Sequence, residues 1–352
     1  MKITVKWLFS LLLILNLTAC LAPKTQSVRV NQQAVESERS KQQKMALTHL
    51  QQLNRRLADT AWPLSSAALT FCEDNKTSAL GILTASEFSY SEAFRKTARE
   101  LFALDSSLQI MHITAGSPAD KAGLKEGDII VSVNGTRLPK DKQAKATLDK
   151  ILAKTPGNKI HLQIKRDAGN LNLSVMPEIQ CNYPILLSES DAVNAFADGE
   201  KVVITKGMMK FANTSQELSL VISHEIAHNV MSHITAKTVN SLGGTLLDIV
   251  ASAAMGVSTQ GMFGKLGAQM YSQEFESEAD YVGLYIMARA GLDITGAEMF
   301  WRRMAVEHPS SINSNHTSTH PATAERFISI ETTIEQIESK QQNGDELLPN
   351  MK

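Results

Sequence analysis

Leu218-Ser219-Leu220-Val221-Ile222-Ser223-His224-Glu225-Ile226-Ala227-His228 is the run whose reading decides the fold. It lies in a helical stretch that begins near Ser215, and Leu218, Leu220, Val221 and Ile222 make that helix buried. The two histidines stand four residues apart and so share one helical face. A buried helix bears the cost of two imidazoles only when they have a partner. The H-E-x-x-H spacing lets both rings reach a single metal ion, with Glu225 set to one side near a bound water.

Two ligands leave such a site incomplete. In the metzincin pattern a third histidine stands six residues after the second, but here that position is Ile234, and position 231 is Met rather than Gly, which excludes that branch. Downstream, Glu276-Ser277-Glu278-Ala279-Asp280 puts Glu276 and Asp280 one helical turn apart on one face. Glu276 can complete the ligand set, and Asp280 can accept the N–H of a ligand imidazole and so fix its tautomer.

H-E-x-x-H followed by E-x-x-A-D resembles the gluzincin metallopeptidases, specifically the CAAX prenyl protease and HtpX family, metallopeptidase family forty-eight. Asn194-Ala195-Phe196 with the following strand and Gly207, and Ser318-Thr319-His320-Pro321 with Arg326, support the resemblance, which covers about residues 185 to 335. The family often shows Ser-Arg ahead of the third-ligand glutamate, whereas this chain has Ser272-Gln273. The resemblance implies one Zn2+ per chain on His224, His228 and Glu276, and Glu225 as general base. It also implies a place near the metal for His320, at the open coordination position or beside a tetrahedral intermediate. His233 matches a common family position and is read as structural, and His308 and His316 as solvated.

A second pattern precedes the first. From about Ala79 to Pro177, short apolar runs at Leu108 to Ile113, Ile129 to Val133 and Ile160 to Ile164 alternate with turn chemistry. Gly123 and Gly127 allow tight turns around a one-turn helix, and Asn134-Gly135 is a hairpin turn after a buried strand. The stretch Gly116 to Gly135 resembles the centre of a PDZ domain, which implies capture of an extended peptide C-terminus beside one sheet edge. Leu80-Gly81-Ile82 is then the candidate carboxylate-binding turn, although Gly81 can equally be a plain strand turn, and the helical stretch Ser89 to Leu104 departs from the compact pattern.

At the N-terminus, Lys2 and Lys6 precede an apolar run from Trp7 to Leu17, too short to span a bilayer and arranged as a secretory signal peptide. Leu17-Thr18-Ala19-Cys20 resembles a lipobox, which implies acylation of Cys20, a periplasm-facing lipoprotein and, with Leu21 next, sorting to the outer membrane. Cys72 and Cys181 then remain as an even pair in an oxidising compartment and are expected to form a disulfide. Closing a loop of about 110 residues removes roughly 4 to 5 kcal/mol of denatured-state entropy. With 35 Lys and Arg against 36 Asp and Glu, the chain lacks the charge of a nucleic-acid binder.

The expected class is α+β: a mainly helical gluzincin-like zinc-protease domain with a small sheet, plus an inserted PDZ-like β domain. The expected order is a signal peptide at 1–19, a lipidated tether at 20–36, a docking helix region at 37–78, the PDZ unit at 79–178, the peptidase unit at 179–338 and a polar tail at 339–352. Within this order a helix is expected from near Ser37 to just before Trp62-Pro63, and Ser241 to Gly267 is either a glycine-hinged lid or a plain connection. The expected activity is hydrolysis of unfolded or misassembled envelope polypeptides, with the strand from Lys201 to Thr205 pairing with the substrate backbone. The partners expected are such polypeptides, a C-terminal peptide on the PDZ unit and a membrane through the lipid. The alternative is a periplasmic chaperone or adaptor whose metal site is gated or vestigial.

Overall fold

The computed structural model describes residues 28–233, 262–307 and 323–350 together with 25, 235 and 236; for 262–272 it describes the helical backbone alone. Cys20 and the signal peptide, His308, His316, His320 and the segment from Ser241 up to the helix beginning at Met262 lie outside the described residues. Two compact units divide the chain, Met1–Gln43 and Lys44–Lys352. In the first, the described residues are largely exposed and open helix α1, Gln32–Ala67. α1 starts ahead of the expected Ser37 because Asn31 caps it, its Oδ1 accepting from the Gln33 amide at 2.7 Å.

α1 also runs through Pro63 instead of stopping before Trp62. An internal proline costs about 3 kcal/mol. Burial of Leu57, Ala61, Leu64 and the following Ala68 in the main core outweighs it, since a fully buried leucine alone contributes about 1.5–3 kcal/mol. A 310 turn, Ala68–Phe71, leads to Cys72. Strand β1, Lys76–Ala79, pairs antiparallel with β8, Glu178–Cys181, so that Lys76 faces Cys181. Cys72 and Cys181 form a disulfide with their Cα atoms 5.6 Å apart, both in the core. The pair closes the base of the stem from which the intervening residues emerge.

Those residues build a second sheet in the order β2 (Ile82–Ala85), β3 (Leu108–Ile113), β4 (Ile129–Val133), β6 (Ile160–Arg166), β7 (Gly169–Val175), with β5 (Thr136–Arg137) paired to β4. Asn134 and Gly135 both adopt positive φ in the β4–β5 turn. Helix α2, Glu92–Phe102, occupies the β2–β3 connection, α3, Pro118–Lys121, is one turn, and α4, Ala144–Lys154, closes the barrel-like core with Leu148 and Leu152. Asp128, 1% exposed, receives both Nε and Nη2 of Arg166 at 2.7 Å and ties the turn before β4 to β6.

The last part of the chain adds β9 (Ile185–Ser188), β10 (Ala195–Ala197) and β11 (Val202–Thr205), followed by α5 (Lys206–Phe211), α6 (Ser215–Val230), α7 (Met262–Arg289), α8 (Ala297–Glu307) and α9 (Ala324–Asn343). The small sheet runs β10-β11-β9. β11 is therefore central and all four of its residues are buried, which contradicts the expectation that the Lys201–Thr205 strand pairs with substrate: its neighbours already hold both edges. The tail past 338 is less separate than expected. α9 continues to Asn343, and Leu347 packs on the main core with its carbonyl accepting from Arg289 Nη1 at 3.2 Å. The architecture is α+β, and no helix among the described residues is long and apolar enough to cross a membrane.

Replacing both Cys72 and Cys181 by Ala is expected to cost about 2–5 kcal/mol of unfolding free energy. Urea denaturation of wild type, with and without reductant, checks it; equal midpoints in the two would contradict the staple.

Candidate metal centre

α6 is set in place before any ligand is considered. Thr214 caps it in a reciprocal box with Glu217, and Arg56 of α1 donates to the carbonyls of Met209, Ala212 and Thr214, fixing the turn from α5 into α6. At the far end Asn229, next to His228, donates to the Lys201 carbonyl at 3.1 Å and accepts from the Gly199 amide at 2.8 Å. The β10–β11 turn is thereby fastened to the helix that carries the histidines.

α7 lies against α6 at Gly283, where a Cβ would stand 3.1 Å from the His224 backbone nitrogen. That close approach brings Glu276 and Asp280, two turns and one turn earlier on the same face, up to the two histidines. His224 Nε2 and His228 Nε2 are 3.1 Å apart, and each lies 3.4 Å from a different oxygen of Glu276. His224, His228 and Glu276 are the one group of three such donors found among the described residues.

The rings are held from behind. His224 Nδ1 is 2.9 Å from Asp280 Oδ1, and His228 Nδ1 is 2.9 Å from His233 Nδ1. Asp280 in turn receives Arg326 Nε at 2.7 Å and Nη2 at 2.9 Å, and Arg326 Nη1 lies 3.3 Å from Glu276. Trp301 of α8 packs beside the His224 ring at 5.2 Å and under the Arg326 guanidinium at 5.3 Å. Every one of these groups is buried, as is Glu225 at 2% exposed.

The electrostatics follow from that burial. Desolvation works against the charged forms of Asp280 and Arg326. Their mutual attraction overrides it, holding the Asp280 carboxyl below its usual range and the Arg326 guanidinium above its own. For His224, burial alone would lower the pKa, but the hydrogen bonds to Asp280 and Glu276 raise it to about 10 in the metal-free protein. Burial lowers that of His233.

A zinc ion fits these residues. Two imidazole nitrogens and a carboxylate converge, the other nitrogen of each ring is tied back, and His2Glu is an established donor set for zinc with an open position. Once both imidazoles are neutral, as a metal requires of them, the described buried groups Glu225, Glu276 and Asp280 against Arg326 leave a formal excess of two negative charges, the charge of one divalent cation.

The sequence-derived residues His224, Glu225, His228, Glu276 and Asp280 thus meet in one place. Leu80, Gly81 and Ile82 lie elsewhere, in a groove of about 570 Å3 lined also by Leu148 and Leu152 of α4 and by Trp62 of α1. Gly81 has φ +76°, its carbonyl accepts from the Thr114 amide at 2.9 Å, and a side chain there would collide with Ser117. β2, which follows, is an outer strand of its sheet. Sequence reasoning passed over Gly283, Asn229, Trp301 and Glu278. Gly283 was within reach, since Glu276, Asp280 and Gly283 repeat at helical spacing, but Trp301 and Asn229 carried no such pattern.

A family model described as peptidase family M48 matches residues 155–334, and one described as a PDZ domain matches residues 88–176. Among curated proteins, the chain is similar to the mitochondrial metalloendopeptidase OMA1 of Schizosaccharomyces pombe, 30% identical over 157 residues, or 43% of this chain and 47% of that protein. It is 28% identical over 165 residues to the putative beta-barrel assembly-enhancing protease of Vibrio cholerae, covering 43% of this chain and 34% of that one. With the beta-barrel assembly-enhancing protease of Escherichia coli it shares 26% over 140 residues, 36% of this chain and 29% of that one. The chain thus spans about half or less of the length of these relatives.

Two outcomes are expected. Gly283→Val forces α7 away from α6 and costs about 1–3 kcal/mol of stability, with weaker zinc binding in a chelator competition; unchanged binding would contradict the packing account. Because the His224 pKa is raised, its contribution to the stability of the metal-free protein is complete below the ordinary imidazole value of 6.5 and is lost as pH rises through about 10. Zinc must displace that proton, so affinity should climb with pH over the same window, and a flat profile by calorimetry would contradict it.

Proposed function

The chain belongs to peptidase family M48, whose model matches just over half of it, and on that premise we propose that it is a zinc-dependent endopeptidase of the bacterial envelope. The observation that carries the reading is the convergence of His224 Nε2, His228 Nε2 and Glu276 with Glu225 buried on the same helix turn. When bound, zinc supplies Lewis acidity toward a peptide carbonyl and acidifies water. Glu225 takes the proton of the attacking water and delivers it to the departing amine. Asp280 accepts a hydrogen bond from the His224 Nδ1–H and keeps Nε2 free for the metal, while Arg326 holds Asp280 and Glu276 in position.

The substrate strand belongs on β10, whose outer edge carries no partner strand among the described residues and against which α6 packs directly. Backbone pairing there tolerates many sequences, as suits unfolded chains. The groove at Leu80–Ile82, beside the outer edge of β2, would take a peptide C-terminus. We assign the substrates to misassembled outer-membrane or periplasmic polypeptides, a reading supported by the similarity to beta-barrel assembly-enhancing proteases and by the lipobox-like Cys20, which would tether the enzyme to the membrane. The complete donor set and its buried supports disfavour a vestigial site and hence a pure chaperone.

Glu225→Gln is expected to keep about one zinc per chain while casein cleavage falls by roughly 10^2–10^4-fold. Metal analysis and a proteolysis assay on the soluble form beginning after Cys20 check it; full cleavage by the variant would remove Glu225 as the base.

A further inference from the structure

The Asp280–Arg326 support explains how one ligand histidine is prepared for a metal. His228 has a support of a different kind. Its Nδ1 faces His233 Nδ1 at 2.9 Å, and His233 Nε2 faces Glu278 Oε2, also at 2.9 Å. His233 is 3% exposed and its ring stacks on Phe275, centroids 4.7 Å apart at 19°, whereas the Glu278 side chain is 47% exposed.

Two imidazole nitrogens at hydrogen-bond distance share one proton. If His233 supplied it, a neutral His228 would carry its own proton on Nε2, the atom that faces His224 and Glu276, and its lone pair would be lost to a metal. The carboxylate of Glu278 decides between the two arrangements. It accepts from an N–H, so His233 bears its proton on Nε2 and presents Nδ1 as an acceptor, and His228 must then donate from Nδ1. The stacked Phe275 ring keeps the His233 plane from turning out of this register.

We propose that Glu278 and His233 are positioning residues that set the tautomer of His228, acting in series from the surface to the metal site. The inference rests on the metal-site reading above and extends it to two residues that touch neither metal nor substrate. α7 would then serve both histidines, His224 through Asp280 and His228 through Glu278, two residues apart on that helix.

The test is zinc affinity by chelator competition on the full soluble chain, for wild type, His233→Leu, His233→Asn and Glu278→Ala. His233→Leu removes the acceptor and should weaken zinc binding by about 10- to 100-fold. His233→Asn places Oδ1 where Nδ1 stood and should recover most of that loss. Glu278→Ala, at a half-exposed position that leaves the core intact, should give a smaller loss in the same direction. Nitrogen-15 spectra of the zinc-loaded wild type should show His228 protonated at Nδ1 and His233 at Nε2. Wild-type affinity in both His233→Leu and Glu278→Ala, equal losses in the Leu and Asn variants, or a His233 protonated at Nδ1 would each overturn the inference. If His233→Leu does not fold, Glu278→Ala and the spectra still decide. A wild type that binds no zinc removes the metal-site reading and this inference with it, whereas tight wild-type binding with no effect of the variants removes the inference alone.

Discussion

The contact on which the rest depends is the close passage of α7 over α6 at Gly283. Glu276 and His224 lie far apart in sequence, and only where a residue lacks a side chain can the two helices come near enough for a carboxylate to meet both imidazoles. The main core built from α1, the small sheet and the last four helices holds that distance. What would otherwise be two motifs on separate helices becomes one donor set.

Burial then sets the chemistry. Carboxylates and imidazoles in a dry interior are costly unless each is paired, and here the pairing runs outward in two directions. Toward α9, His224, Asp280 and Arg326 form a buried chain capped by the Trp301 ring. Toward the surface, His228, His233 and Glu278 form another that ends half in solvent. Each ring is therefore held at Nδ1 and offers Nε2 inward. The remaining formal charge matches a divalent ion, so a metal would stabilise a site that burial alone would penalise.

Much of this was legible in the chain because two of its patterns are local. H-E-x-x-H and E-x-x-x-D each place their side chains on one helix face, and Asn134-Gly135 names its own turn. The order of the sheets was not legible, because strand pairing depends on partners far away in sequence. The Lys201–Thr205 strand has an apolar, β-prone sequence whether it lies at an edge or, as found, at the centre. Pro63 misled for a related reason: its local cost is visible, while the packing of Leu64 and Ala68 that outweighs it is not. Trp301 and Asn229 matter through what they touch, and no spacing announces that. Asn31, by contrast, is an ordinary capping residue, and reading it would have started α1 correctly.

The central claim is that α6 and α7 together present one zinc site. X-ray absorption at the zinc edge on the loaded protein, wild type beside Glu276→Gln, tests it most directly. The account predicts one zinc per chain with two imidazole nitrogens and carboxylate oxygen at about 2.0–2.2 Å, and loss of that oxygen signal with weakened binding in the variant. A zinc shell that is unchanged by Glu276→Gln, or that contains no imidazole, would contradict it.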